Sequence, residues 1–346
     1  MDEIGGDDTA ACARGTGPGQ SLFGPSSITW RVHSDPLIGL AALRALLLQS
    51  LHPVTMDAFE QHSDLPHDPW RRLSRVTEFL ATVTFGTASE AMTAASRLRA
   101  VHARIVGRTA TGEEYSADDP QLLAWVHCCF VASYLEIVTR GGARLSGLEQ
   151  DAYVAEQARA AMLVGLEPEE VPHDRSGLVD YFRVIRPALT CTEPARRTAV
   201  TVVSEPPLHE VPRSAPPGPG LAGLLDGARP GRTGPPVRPP GAPPLGSPPP
   251  GSPPLGSPPP GATPPGAAGR PVWAGVAGLA FAALPPWARR LYALPRTPGV
   301  AALDDASSTA ALRALRVGLG GEILAEPRAH RPGDGVSGRD GRPARP

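Results

Sequence analysis

The chain has 346 residues, a formal charge of −1 and 41% apolar residues. That is enough for a sizeable core, and too little positive charge for an electrostatic nucleic-acid binder. Lysine is absent, so all 33 basic residues are arginine, which excludes lysine Schiff-base chemistry and a Walker-type phosphate loop. The four cysteines (Cys12, Cys128, Cys129, Cys191) form no CxxC pair, so neither a disulfide framework nor a cysteine zinc site is expected.

Residues 1–25 are rich in Gly and Asp and read as a disordered N-terminus without the apolar run of a secretion signal, which points to a cytoplasmic protein. A helical region then extends over 26–204. Pro36–Leu51 is apolar nearly all round, as a buried helix is, and His52-Pro53 ends it. Asp68-Pro69 reads as an N-cap with proline in the first turn, opening a helix that runs to Gly86. Thr87 and Glu90 have capping-box spacing, and Gly107 reads as the left-handed stop of the helix they start. On that helix His102 shares a stripe with Ala91, Ala94, Ala95, Leu98, Val101 and Ile105. An imidazole there needs either a local partner or a metal.

Asp119-Pro120 repeats the proline cap for a long helix ending at Gly141-Gly142. It carries a second buried-looking histidine, His127, on a face with Leu123, Phe130, Val131 and Tyr134. Ser146 and Glu149 form another capping box, and helical patterns continue over 177–189 and 194–203. No convincing strand ladder is present. Between 205 and 270 proline and glycine dominate, with a glycine every five residues from Gly241 to Gly266. Collagen needs a period of three, so this stretch reads as a disordered, polyproline-like insertion. It is a solvated tether, or alternatively a docking site for a proline-recognising partner. Helical pattern returns over 271–320, in WAGVAGLAFAAL and SSTAALRALRVGL. These pieces are too short to fold alone and are expected to complete the first core; 321–346 reads as a disordered tail. The apolar run at 272–287 is broken by Pro285 and too short to span a bilayer, so no transmembrane segment is expected.

His62, Asp64 and His67 in HSDLPHD have the composition of a two-histidine, one-carboxylate iron site. Two histidines on apolar helix faces, with Arg72, Arg75 and Arg99 nearby in sequence, offer a different possibility. Haem requires one neutral imidazole, aliphatic walls and cations for its propionates. A core histidine bonded to a backbone carbonyl is the plainer alternative for each.

The ordered series ALLLQSLHPV (45–54), DPWRRLSRVTEF (68–79), FGT (85–87), RAVHARIVG (99–107), EEYSADDPQLLAWVH (113–127) and LPPWARRLYAL (284–294) resembles the bacterial branch of the mpaB-type oxygenase family, which includes latex-clearing rubber oxygenases. The resemblance covers 26–204 and 271–320. It implies an all-α, globin-like helical bundle with a b-type haem pocket and O2-dependent attack on a hydrophobic small molecule, isoprenoid-like or a secondary metabolite. The family's proximal histidine, three residues after an arginine, falls on His102 after Arg99, making His102 the axial iron ligand. The Arg-x-x-basic-Thr motif falls on Arg72, Arg75 and then Val76, with Thr77 one position late. Arg72, Arg75 and Arg99 become candidates for anchoring propionates or polarising oxygen, and His127 for lining the pocket. A non-catalytic haem carrier or helical scaffold, and a non-haem iron protein using His62, Asp64 and His67, are the alternatives.

Overall fold

The computed structural model describes residues 21–63, 65, 68–206, 270–293 and 305–320. The described residues form an all-α bundle. Its helices are α1 (Ile28–His33), α2 (Ile38–Gln49), α3 (Pro53–His62), α4 (Pro69–Phe85), α5 (Ala88–His102), α6 (Pro120–Arg140), α7 (Gly147–Leu163), α8 (Arg175–Ile185), α9 (Glu193–Ser204), α10 (Arg270–Ala282), α11 (Pro286–Tyr292) and α12 (Asp305–Gly318). The expected disordered tail, and nearly all of the expected insertion, lie outside the described residues. Leu22 and Phe23, which composition assigns to the disordered N-terminus, are buried with Val83, Ala91 and Ala95, and the Arg159 guanidinium lies over the Phe23 ring.

Helix α2 is the axle of the molecule. All of its residues after Ile38 are buried, which follows from a sequence with Arg44 and Gln49 as its only large polar side chains. Its longest packing partner is α6. The Trp125 indole donates to the Gln49 carbonyl (3.2 Å) and the Arg44 guanidinium donates to Ser133 Oγ (2.7 Å), pinning the two helices. Helix α6 is long and apolar enough to cross a membrane, yet most of it is buried inside the bundle, as in a core helix.

His52-Pro53 does more than stop α2. Pro53 occupies the first turn of a new helix, α3, which departs from α2 at 106°. His52 Nδ1 accepts from the Thr55 backbone N–H (3.4 Å), and burial holds this imidazole below its ordinary pKa, in the neutral form that can accept. The sequence pattern marks no helix here, because the segment is only ten residues long and mixes polar with apolar side chains.

A small antiparallel hairpin follows α5, with β1 (Val106–Arg108) pairing with β2 (Glu114–Ser116). Gly107 therefore belongs to a strand and does not cap a helix. It sits opposite Tyr115, where a Cβ would come within 2.5 Å of the Tyr115 hydroxyl. Tyr115 in turn donates to Gln61 Oε1 (2.9 Å), and Gln61 Nε2 donates to the Arg108 carbonyl (2.9 Å), fastening the hairpin to α3.

Helices α10 and α12 pack on the core made by the first two hundred residues, α10 against α2 and α9, and α12 against α6 and α10. The Trp273 indole donates to the Val202 carbonyl (3.0 Å), the Tyr292 hydroxyl to the Leu47 carbonyl, and Arg316 Nε pairs with Asp35 Oδ2 at 2.8 Å, both side chains nearly sealed. The chain on both sides of residues 207–269 thus shares one core.

Candidate functional site

The two helices that matter most are locally determined. Asp68 caps α4 by accepting from the Arg71 N–H (3.0 Å), with Pro69 at the first position. Thr87 and Glu90 form the reciprocal capping box that starts α5 (3.2 and 2.8 Å). Helix α5 ends at His102, with Ala103 as its C-cap, five residues before the predicted stop. The apolar stripe is correspondingly shorter: Ala91 and Ala95 are buried, Val101 is 43% exposed, and Ile105 lies beyond the helix.

Four buried or half-buried histidines separate into two kinds. His33, on α1, is fully partnered. Its Nδ1 meets Thr84 Oγ1 (2.7 Å), its Nε2 meets the Tyr153 hydroxyl (3.2 Å), and its ring stands edge-on to Tyr134. His52 is a helix cap. His102 and His127 belong to the other kind. His102 is half-buried, its Nδ1 is sealed from solvent with no hydrogen-bond partner, and neither ring nitrogen is hydrogen-bonded among the described residues. His127 is half-buried on α6 and likewise makes no hydrogen bond among the described residues. Burial alone holds its pKa down to about 4.

Arg72 of α4 is the cation whose charge acts on His102. Its guanidinium carbon lies 3.6 Å from the Phe59 ring centroid, and its Nε is sealed without a hydrogen-bond partner. Among the described residues no carboxylate pairs with it. Burial, with the charge of Arg75, brings its pKa down to about 10. The pKa of His102 is lowered, first by burial and then by the Arg72 cation, with Asp118 opposing. The result is a neutral imidazole and an unpaired guanidinium whose charge acts on it, an arrangement that lacks an acceptor or an anion.

The other arginines are placed differently. Arg75 shares its helix with Arg72 but is exposed. Arg99, half-buried one turn before His102, runs its aliphatic stem beside Gly165 at the end of α7. Helices α4 and α6 both pack against α2 without packing closely on each other, and α5 packs on α4 and α7. Leu80, Val126 and Phe130, on α4 and α6, are only half-buried against the core.

Residues 30–317 match the family model of the ER-bound oxygenase mpaB/B′ and rubber oxygenase catalytic domain. The chain belongs to the mpaB/rubber oxygenase family. It is an oxygenase. Comparison with curated proteins and with solved structures found no match.

Thr77, one position after Val76, donates its hydroxyl back to the Leu73 and Ser74 carbonyls (3.0 and 2.9 Å). Of the alternative iron triad, His62 lies edge-on to Tyr115, while Asp64 and His67 lie outside the described residues. Among the described residues no group of three His, Cys, Asp or Glu side chains is arranged to hold a metal ion; a porphyrin iron asks the protein for one imidazole. The site residues that sequence pattern missed are Phe59, which carries Arg72, and the His33–Thr84–Tyr153 network. Both depend on partners far apart in the chain, which no local pattern marks.

Proposed function

We propose that this oxygenase works with b-type haem held by His102 and acts with O2 on a hydrophobic small molecule of the isoprenoid or secondary-metabolite type. The observation that carries the reading is the contrast between His33, whose two nitrogens are both satisfied, and His102, whose nitrogens are not. A half-buried imidazole without a partner is costly unless a ligand completes it. Haem, when bound, supplies the activation of O2.

The chain's own residues do the rest. Burial and the Arg72 cation keep the His102 imidazole neutral, which is the form that binds iron. Arg72, sealed at Nε and unpaired, is suited to a propionate carboxylate or to oxygen that gains negative charge. Arg99 and Arg75, at increasing exposure, supply further cations towards the rim. His127, neutral at physiological pH, and the half-buried Leu80, Val126 and Phe130 line the pocket and exclude water, which favours an apolar substrate.

The test is the ultraviolet–visible spectrum of the purified full chain, produced with ample haem precursor, oxidised and then dithionite-reduced. A Soret band that His102→Ala removes and His33→Gln retains is the expected result. A colourless, folded preparation overturns the proposal. Oxygen uptake that depends on an added apolar substrate separates an enzyme from a carrier.

A further inference from the structure

On the side of α6 away from His127 lies a cavity of about 330 Å³ that the proposed reaction does not use. Glu136, in its wall, is about two and a half helical turns from His127, on the opposite face. The cavity runs between α2, α6, α7, α8 and α11. Its apolar walls include Leu48, Leu135, Leu178, Phe182 and Trp287, and its charged members are Arg44, Arg175, Arg186 and Glu136. The volume is within the range of small-molecule pockets, about 300–1,000 Å³.

Arg44 is the unusual member. It is 4% exposed. Its Nε donates to the Ala283 carbonyl (2.9 Å) and its Nη1 to Ser133 Oγ (2.7 Å). Both acceptors are neutral. Nη2 has no hydrogen bond, and no carboxylate forms an ion pair with Arg44 among the described residues. Glu136, the carboxylate in the wall, acts on Arg44 through space without hydrogen-bonding it, and is itself ion-paired with Arg140 at 3.4 Å. Arg175 is already paired with Asp151 at 2.7 Å, whereas Arg186 is exposed and lies over the Trp287 ring at 5.1 Å. A buried guanidinium with no carboxylate hydrogen-bonded to it is expensive, and capping the end of α10 through Nε accounts for only part of its donor set.

We propose that this cavity binds an aliphatic monocarboxylate of the fatty-acid class, with its carboxylate on Arg44 Nη2 and its chain against Leu178, Phe182 and Trp287. The anion supplies the missing hydrogen-bonded countercharge, and the apolar walls take the tail. A fully polar anion such as phosphate leaves those walls unsatisfied, and a neutral lipid leaves the cation so. The site is independent of haem, so a pigment-free protein does not alter the test.

The experiment is calorimetric titration of the full-length protein with dodecanoate, with dodecan-1-ol and dodecyltrimethylammonium as probes of the head group. Dodecanoate is expected to bind one to one, about tenfold or more tighter than the alcohol, as a charge-assisted hydrogen bond requires; the cation should not bind. Filling the cavity with Ala132→Phe should abolish binding, and Arg186→Gln should weaken it with the fold intact. Arg44→Met should remove the preference for the acid; if that variant fails to fold, the head-group comparison and Ala132→Phe still decide. His102→Ala should leave the affinity unchanged. Equal affinity for acid and alcohol, insensitivity to Ala132→Phe, or loss of binding in His102→Ala each overturns the assignment.

Discussion

Two imidazoles in one bundle, His33 and His102, carry different consequences. His33 is neutral because it is sealed, with its pKa pushed down to about 3. Unfolded, it titrates near 6.5 and binds a proton that the native state refuses, so native stability is lost as pH falls from about 6.5 towards 3, at up to about 1.4 kcal/mol per pH unit. Urea unfolding between pH 7 and 4 should show that fall, and His33→Gln should flatten it; a pH-independent midpoint in the wild type contradicts it. For His102 the expected loss is of cofactor and not of fold: His102→Ala should keep its circular dichroism and lose the Soret band. Arg72→Gln is expected to retain the band but release haem about tenfold to a hundredfold more readily in transfer to apomyoglobin, the worth of one charge-assisted hydrogen bond. Unaltered release removes Arg72 from the pocket. Sequence alone placed Arg72 and Arg75 together, since they are three residues apart on one helix. Which of them turns inward depends on Phe59, delivered by a helix that sequence pattern does not show.

At the scale of elements, the local signals were strong where side chain and backbone bond within a few residues. Asp68-Pro69, Asp119-Pro120 and the boxes at Thr87/Glu90 and Ser146/Glu149 all cap the helices they announce. Replacing Asp119, which accepts from the Gln121 N–H at 2.7 Å, by alanine should cost about 1 kcal/mol. The check is the urea midpoint at unchanged slope; no shift would mean that packing alone sets where α6 begins. Elements built from distant partners were not legible. Three-residue strands carry no periodicity, so the hairpin was invisible and Gly107 was assigned to a helix end. Its true reason is the Tyr115 hydroxyl against its backbone. Proline after a helix marks both endings and beginnings, and at Pro53 it marks both at once.

At the scale of the molecule, the family assignment was legible because six short segments keep their order across nearly the whole chain, while the all-α class followed from helical periodicity and caps. The way the last helices close the core was legible only as a need for more apolar surface. Besides the Trp273 and Tyr292 hydrogen bonds, what secures them is a buried ion pair between residues 281 positions apart, Asp35 and Arg316. Breaking it with Arg316→Met leaves a sealed carboxylate without its countercharge and should cost about 3–5 kcal/mol; thermal unfolding that is unchanged would place the closure elsewhere. The shared core has a practical corollary. Severed anywhere between residues 206 and 270, the polypeptide would fall into pieces that each lack part of the shared interior, with Trp273, Tyr292 and Arg316 on one and Val202, Leu47 and Asp35 on the other. Expressed from two plasmids, such pieces should find each other and copurify, turning a single-chain catalyst into a reporter of their meeting.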